Sequence, residues 1–274
     1  MASPHLPVRR FLSQRFKVTS MPVIFITGAT SGFGAATARH FAQNGWKVIA
    51  TGRRRERLAE LEAEFPEIVH GIEMDLTDKA SIKHAVAAIP ENYKPVTCLF
   101  NNGGLALGTG AVPDVDTDQW QQMIDTNIVG LLHTTLEVLP LIKQVGRGAS
   151  IINVGSIAGR FPYTGGNVYG ATKAFVHQFS MNLRTDTMGT GIRVTSLEPG
   201  HAKSEFTAVR TGGDFEANEK MYADNEPLLP EDIAQTVWWL ANLPPHVNIN
   251  SIEIMPVCQV PTRPVILKTA DFKN

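Results

Sequence analysis

The chain is expected to fold as one α/β domain, a doubly wound parallel sheet with helices on both faces. Three observations predict this. From Val23 onward, short apolar runs alternate with longer amphipathic stretches, the order that builds βαβ crossovers. The first apolar run passes through a glycine-rich turn straight into a helical stretch, the usual opening of such a sheet. No linker-like stretch, internal repeat or low-complexity segment divides the 274 residues, so they are expected to share one sizeable core.

The elements follow in order. Strands are expected at residues 23–27, 47–52, 68–74, 97–101, 150–154, 193–197 and 252–255, each a short apolar run. Helices are expected near 34–43, 54–64, 79–88, 117–142, 168–188 and 231–242, where apolar residues recur at helical spacing. Trp238 and Trp239 lie in the last of these and are expected to pack as core and interface. Residues 201–226 show no period and contain Gly212-Gly213, so an irregular lid over the site is expected. The domain is taken as 21–274 and residues 1–20 as a flexible extension. Arg9, Arg10, Arg15 and Lys17 occur there with serines and no acid, a composition shared by transit peptides, a vector-derived leader and an early start upstream of Met21.

Composition narrows the function. The formal net charge of −1 provides no field for nucleic acid or an anionic membrane. No apolar stretch is expected to span a bilayer. Only Cys98 and Cys258 occur. Cys98 lies in an apolar run and reads as a buried thiol, which fits a reducing, cytoplasmic compartment. The eight histidines form no metal-ligand spacing, so no protein-bound catalytic metal is expected.

Chemistry concentrates in four places. Thr27-Gly28-Ala29-Thr30-Ser31-Gly32-Phe33-Gly34 joins the first strand to the first helix. Its glycines permit a tight turn and close approach to a pyrophosphate, and the helix presents free N–H groups and its positive dipole end. The second strand ends in Gly52-Arg53-Arg54-Arg55 without an acid. Guanidinium groups suit a 2′-phosphate, so the cofactor is expected to be NADP, with Arg53 the first contact and Arg54 the second. Asp75, ending the third strand, is either an adenine contact or a plain strand-end cap. Tyr169 and Lys173 stand four apart, on one helix face. A phenol is a poor acid or base at neutral pH, and an ammonium one turn away favours its phenolate. The pair is therefore expected to exchange a proton with a substrate oxygen.

From Val23 to the C-terminus the chain resembles the short-chain dehydrogenase/reductases. The motifs stand in order: Thr27–Gly34, Asn101-Asn102-Gly103-Gly104, Asn127, Ser156, Tyr169, Lys173 and Pro199-Gly200. Gly103 departs from the alanine usual there. Longer stretches, such as Gly165-Gly166-Asn167-Val168-Tyr169-Gly170-Ala171-Thr172-Lys173-Ala174-Phe175 and Pro245-His246-Val247-Asn248-Ile249-Asn250, are similar to the NADP-dependent 3-hydroxy acid dehydrogenases. The resemblance implies oxidation at the β-carbon of small 3-hydroxy acids such as serine, allo-threonine, 3-hydroxyisobutyrate or 3-hydroxypropionate, and the reverse reduction. It also implies a homotetramer.

By the same resemblance Tyr169 is the acid/base, and Lys173 tunes it while binding the nicotinamide ribose. Ser156 bonds the substrate oxygen, and Asn127 holds a water linking Lys173 to solvent. Asn102, Pro199 and Gly200 join the cofactor contacts. A 3-hydroxy acid carries a carboxylate, so a cation is expected to anchor it. Arg210 is the candidate and Arg160 the rival, while residues 163–167 border the pocket. Two other functions remain open: a general carbonyl reductase for bulkier ketones, and a non-catalytic dinucleotide-sensing protein. The complete set Asn127, Ser156, Tyr169 and Lys173 argues against the second.

Overall fold

The computed structural model describes residues 21–203, 205, 210, 222, 223 and 225–260. Its strands are β1 (Val23–Ile26), β2 (Lys47–Gly52), β3 (Val69–Glu73), β4 (Cys98–Asn101), β5 (Ser150–Val154), β6 (Arg193–Pro199) and β7 (Ser251–Ile254). They form one parallel sheet in the order β3-β2-β1-β4-β5-β6-β7. The chain begins at the centre, winds out through β2 and β3, then returns to β4 and winds out the other way. That reversal opens a crevice at the carboxyl ends of β1 and β4, where ligands bind in such sheets. The helices are α1 (Gly32–Gln43), α2 (Arg55–Glu64), α3 (Lys79–Ala87), α4 (Thr117–Ile124), α5 (Leu131–Val145), α6 (Asn167–Asp186) and α7 (Pro230–Ala241). Every expected strand and helix is present, with ends displaced by a few residues.

Alternate strand residues feed two apolar clusters, because successive side chains point to opposite faces. Ile24, Ile26, Val48 and Phe100 pack with Phe41 of α1, Leu58 of α2 and Val237 of α7. Phe25, Ile49, Leu99 and Ile151 pack with Ile82 of α3, Ile142 of α5 and Leu183 of α6. Trp238 belongs to the first cluster, edge-on to Phe41 at 5.0 Å between centroids, whereas Trp239 is 49% exposed. Cys98 is buried and free, its thiol pushed up to about 11 by burial. Arg193 reaches under the sheet to cap α7, donating to the carbonyls of Leu240 and Ala241, the favourable place for a cation.

The helix expected over 117–142 is interrupted. Asp125–Gly130 adopts a π-helical turn between α4 and α5, with Thr126 and Asn127 buried in it. Such wide turns redirect side chains and gather at functional sites. The whole run Thr117–Val145 is long and apolar enough to cross a membrane by length and composition, which corrects the expectation that no stretch is. Here it packs along the sheet against α3 and α6 and buries Asn127, Thr134 and Thr135. Residues 1–20 and most of the expected lid at 201–226 lie outside the described residues. The described ends of that segment are joined: Ala202 bridges Leu228, and the Tyr222 hydroxyl donates to the Ala202 carbonyl at 2.9 Å.

Candidate active site

A cavity of about 420 Å³ opens at the carboxyl ends of β1, β4, β5 and β6. It brings together the glycine turn after β1, the β2 tip, the β4 tip, the Ser156 turn, one face of α6 and Pro199-Gly200. Of the expected site residues Asn127, Gly34, Arg210 and the rival Arg160 are not part of its lining, nor are residues 163–167, which were expected to border it. Asn127 and Gly34 stand immediately behind it.

On the β1 side the surface is mostly main chain. Gly28 has φ +66°, and a Cβ there would meet the Gly103 Cα at 2.9 Å. A Cβ on Gly34 would collide with the Gly28 carbonyl oxygen. Ser31 begins α1 without a side-chain cap, and no acid stands in the first turn, which leaves N–H groups facing the cavity. Asn102 braces the turn: its Nδ2 donates to the carbonyls of Thr27 (2.9 Å) and Gly28 (3.2 Å). The Thr27 hydroxyl accepts from the N–H groups of Asn102 and Gly103. A tight cradle that no side chain can enter, beside uncapped helix N–H groups, fits a dinucleotide pyrophosphate.

At the β2 tip Arg53 is exposed and, among the described residues, makes no hydrogen bond or ion pair. Arg54 is held by the Thr30 hydroxyl and carbonyl and pairs with Glu205 at 3.0 Å. Both line the cavity, and two guanidinium groups with no acid on the strand tip fit a ribose 2′-phosphate. Asp75 also lines it, while its Oδ1 accepts from the N–H and hydroxyl of Thr77 at 2.8 Å. It is thus a strand-end cap whatever else it touches.

On the β5 side the surface is made of side chains. Ser156 follows β5 and starts a 3₁₀ turn, Ile157–Gly159, accepting from the Ala158 N–H at 3.1 Å. Tyr169 and Lys173 face the cavity from α6, only 9% and 6% exposed. The Lys173 ammonium donates to the Val154 carbonyl at 2.9 Å and lies 5.8 Å from the Tyr169 ring centroid. Burial lowers Lys173 from 10.5 to about 8. Burial also pushes Tyr169 up to about 12, against a hydrogen bond with Ser156 and the charge of Arg210, which both lower it. The expected net lowering of Tyr169 by Lys173 is therefore overturned in this state: desolvation of the phenolate outweighs the nearby charges.

Asn127, in the π-helical turn, bonds both the N–H and the carbonyl of Leu105 at 2.8 Å and donates to the Thr172 hydroxyl. Arg210 lies over the rings of Tyr163 and Tyr169, at 5.3 and 5.9 Å, and donates to the carbonyls of Gly108 and Gly165. Arg160 does not join it. Its guanidinium is engaged by Glu198, Glu253 and Ser251 away from the cavity, which removes it as the carboxylate anchor.

Two glycines gain meaning only from their neighbours in space. A Cβ on Gly103 would meet the Leu76 Cδ1 at 2.5 Å, so glycine here accompanies the bulk of Leu76. A Cβ on Gly104 would meet the Asn127 Oδ1 at 3.0 Å and the Lys173 Nζ at 3.5 Å. Sequence reading also passed over Glu198 and His177, which carry no motif.

The chain matches the family described as short chain dehydrogenase over residues 22–212. It is 54% identical over 237 residues to serine 3-dehydrogenase of Agrobacterium fabrum, spanning 86% of this chain and 94% of that protein. Sulfoacetaldehyde reductase of Chromohalobacter salexigens is 52% identical over the same shares. NADP-dependent 3-hydroxy acid dehydrogenase of Salmonella typhi is 51% identical, over 86% of this chain and 96% of its own. A solved closed form of serine dehydrogenase complexed with NADP+ superposes with a TM-score of 0.88 at 46% identity, covering 90% of this chain and all of that one. With the cradle, the arginine-tipped β2 and the Ser156, Tyr169 and Lys173 side chains gathered at the carboxyl ends of the strands, the chain belongs to the short-chain dehydrogenase family.

Proposed function

We propose that the protein is an NADP-dependent oxidoreductase acting at the β-carbon of small 3-hydroxy acids of the serine, allo-threonine, 3-hydroxyisobutyrate or 3-hydroxypropionate type. The observation that carries this is the Arg210 guanidinium, 5.9 Å from the ring centroid of the cavity-lining Tyr169: a cation beside the proton-exchanging tyrosine fits a substrate with an anionic head and a nearby alcohol. The identities with serine 3-dehydrogenase and a 3-hydroxy acid dehydrogenase support the same substrate class.

NADP would be held by the Gly28–Gly34 cradle, Asn102, Asp75, Pro199 and Gly200, with Arg53 and Arg54 on its 2′-phosphate. When bound it supplies the hydride acceptor. The chain's own residues handle the proton and the orientation. In oxidation the Tyr169 oxygen takes the β-hydroxyl proton; in reduction, protonated as burial favours, it returns one. Ser156 both donates and accepts, so it holds the substrate oxygen in either direction. Lys173, when charged, favours the Tyr169 phenolate and so opposes the desolvation of the site. Asn127 fixes the chain at Leu105 and Gly104 beside Lys173 and is assigned the water that connects that lysine to solvent. Positioned acid/base groups contribute about 10²–10⁴-fold.

A second reading keeps this chemistry and changes the anion. The 52% identity with a sulfoacetaldehyde reductase favours a sulfonate in place of the carboxylate, since Arg210 pairs with either. We further assign the protein a homotetrameric assembly and a cytoplasmic location, the former from the family resemblance and the latter from the two free thiols.

The test is the initial rate of NADP+ reduction with L-serine, L-allo-threonine and 3-hydroxyisobutyrate, with NAD+ as control cofactor, beside NADPH oxidation by sulfoacetaldehyde and by a neutral ketone. Turnover of a carboxylated alcohol with NADP+ supports the first reading, and sulfoacetaldehyde alone supports the second. Turnover of the neutral ketone alone would make the protein a general carbonyl reductase and remove Arg210 as an anchor.

A further inference from the structure

Glu198 lies on β6, one residue before Pro199, and is 0% exposed. A buried carboxylate is costly unless paired and hydrogen-bonded. This one has four partners, with its hydrogen bonds gathered on Oε1 while Oε2 is met by an ion pair alone. Arg160 Nε stands 2.8 Å from Oε2 as an ion pair, and the His177 Nδ1 stands 2.5 Å from Oε1. The hydroxyls of Ser196 and Ser251 lie 3.0 and 3.2 Å from Oε1. Arg160 in turn pairs with Glu253 at 2.9 Å and donates to the Ser251 hydroxyl at 2.8 Å. None of Glu198, Arg160, His177 and Glu253 lines the cavity, and the chemistry proposed above uses none of them.

The cluster joins the backbone segments that carry the reacting groups. Arg160 directly follows the 3₁₀ turn that Ser156 begins. His177 lies one helical turn beyond Lys173 on α6. Glu198 adjoins Pro199, whose carbonyl lies 3.5 Å from the Ser156 hydroxyl. The turn itself sits hard against α6: a Cβ on Gly159 would lie 2.7 Å from the Lys173 carbonyl carbon, and one on Gly170 would lie 2.8 Å from the Ala158 carbonyl oxygen. Close packing sets the approach of turn to helix, but contact between smooth surfaces leaves sliding free. A charged fork anchored on β6 and β7 fixes that remaining direction, because a guanidinium is planar and its donors are rigidly arranged.

We infer that Glu198, Arg160 and His177 form a positioning cluster that locks the Ser156 turn against α6 and so sets the separation of the Ser156 and Tyr169 hydroxyls. Bulk stability is the weaker explanation, since buried ion pairs are often no more stabilising than apolar residues of the same volume. The inference rests on the roles given to Ser156 and Tyr169 under Proposed function.

The experiment compares Arg160→Met, Arg160→Lys, Glu198→Gln and the double variant Arg160→Met/Glu198→Gln. It measures kcat, KM, NADP+ affinity by titration, and Tm. Displacement of a reacting group by about 1 Å costs on the order of 100-fold. Arg160→Met is therefore expected to lower kcat about 10- to 100-fold while NADP+ affinity stays within about twofold, and Arg160→Lys to recover part of the loss. The double variant leaves no unpaired buried charge, so its Tm is expected to recover while kcat does not. Recovery of kcat together with Tm would overturn the inference, as would a wild-type kcat in Arg160→Met. If Arg160→Met does not fold, the isosteric Glu198→Gln carries the same kcat and affinity criterion. Ser156→Ala and Tyr169→Phe, run in parallel, separate the two layers. Turnover retained in both overturns the site assignment and the inference with it. Turnover lost in both, with Arg160→Met fully active, overturns the positioning role alone.

Discussion

The β1–β2–β3 side of the cavity presents mainly main chain to its ligand, with the guanidinium groups of the exposed Arg53 and the half-buried Arg54 at the β2 tip, whereas the β5–β6 side presents buried side chains. On the first side the Gly28 turn is shaped by what is missing: a Cβ at Gly34 or Gly28 has nowhere to go. On the second, Ser156, Tyr169 and Lys173 are shaped by what surrounds them, and burial moves both titrating groups away from their ordinary values. A backbone site binds through geometry and dipoles that no pH change alters. A side-chain site does chemistry through pKa values that desolvation tunes. Lesions on the two sides should therefore separate into lost affinity and lost turnover.

The largest expected effect lies on the side-chain wall. Tyr169→Phe keeps the ring against Ala106 and Met123 and removes only the hydroxyl. Turnover is expected to fall by about 10²–10⁴-fold, while NADP+ affinity stays within about threefold. A parallel loss of affinity would show that the two walls are not independent. On the backbone wall the converse is expected. Arg53→Ala/Arg54→Ala should weaken NADP+ by about 10- to 100-fold, the loss of two charge-assisted contacts tempered by their exposure, and leave NAD+ affinity nearly unchanged. Equal weakening of both cofactors would mean that these arginines do not read the 2′-phosphate.

The contrast also explains what could be read from the sequence. The strand and helix order was legible because alternating apolar runs have one stable solution in a parallel sheet. The backbone wall was legible because its parts, Thr27–Gly34 and Gly52–Arg54, are contiguous. Tyr169 and Lys173 were legible because they share one helix face. The net effect on Tyr169 was not: a spacing of four reports a neighbouring charge, but not the desolvation that comes with burial. The π-helical turn at Asn127 was missed because it leaves the apolar period almost intact. Glu198 was missed because three of its four partners come from β7, α6 and the segment after the Ser156 turn, contacts with no local pattern.

A smaller effect tests the cost of the side-chain wall. The folded pKa of Lys173, about 8, lies below its ordinary 10.5. The unfolded chain then binds more protons between those values, so stability rises with pH across that window. The shift corresponds to about 3 kcal/mol at neutral pH, less about 1 kcal/mol for the bond to the Val154 carbonyl that a substitution also removes. Lys173→Met is accordingly expected to be inactive yet more stable than the parent by about 2 kcal/mol at pH 7, with the gap shrinking from pH 8 and reversing before pH 10.5 in thermal melts, because the lost bond to Val154 is then uncompensated. Tyr169, raised to about 12 from 10.0, works the opposite way: both proteins lose stability above pH 10 as the unfolded phenol ionises, which leaves the gap unchanged. A gap that is constant with pH would mean that Lys173 is not desolvated as described.

The smallest effect concerns the seam between the walls. Gly103 sits at the tip of β4, where its N–H donates to the Thr27 hydroxyl at 2.8 Å and any Cβ would press on the Leu76 Cδ1 at 2.5 Å. Leu76 is half-buried and ends in a flexible side chain, so the clash can be relieved by a rotamer change. Gly103→Ala is therefore expected to lower stability by about 1 kcal/mol or less, and Leu76→Val, which retracts the offending methyl, to restore most of it in the double variant. The two substitutions should thus couple strongly in a double-mutant cycle. NADP+ affinity is the discriminating readout. If Gly103→Ala weakens it more than about tenfold while Leu76→Val gives no rescue, the glycine is needed for backbone freedom in the Thr27 clamp, and the seam belongs to the backbone wall. If stability and affinity recover together, Gly103 is only the complement of Leu76, a local exchange of volume across the crevice.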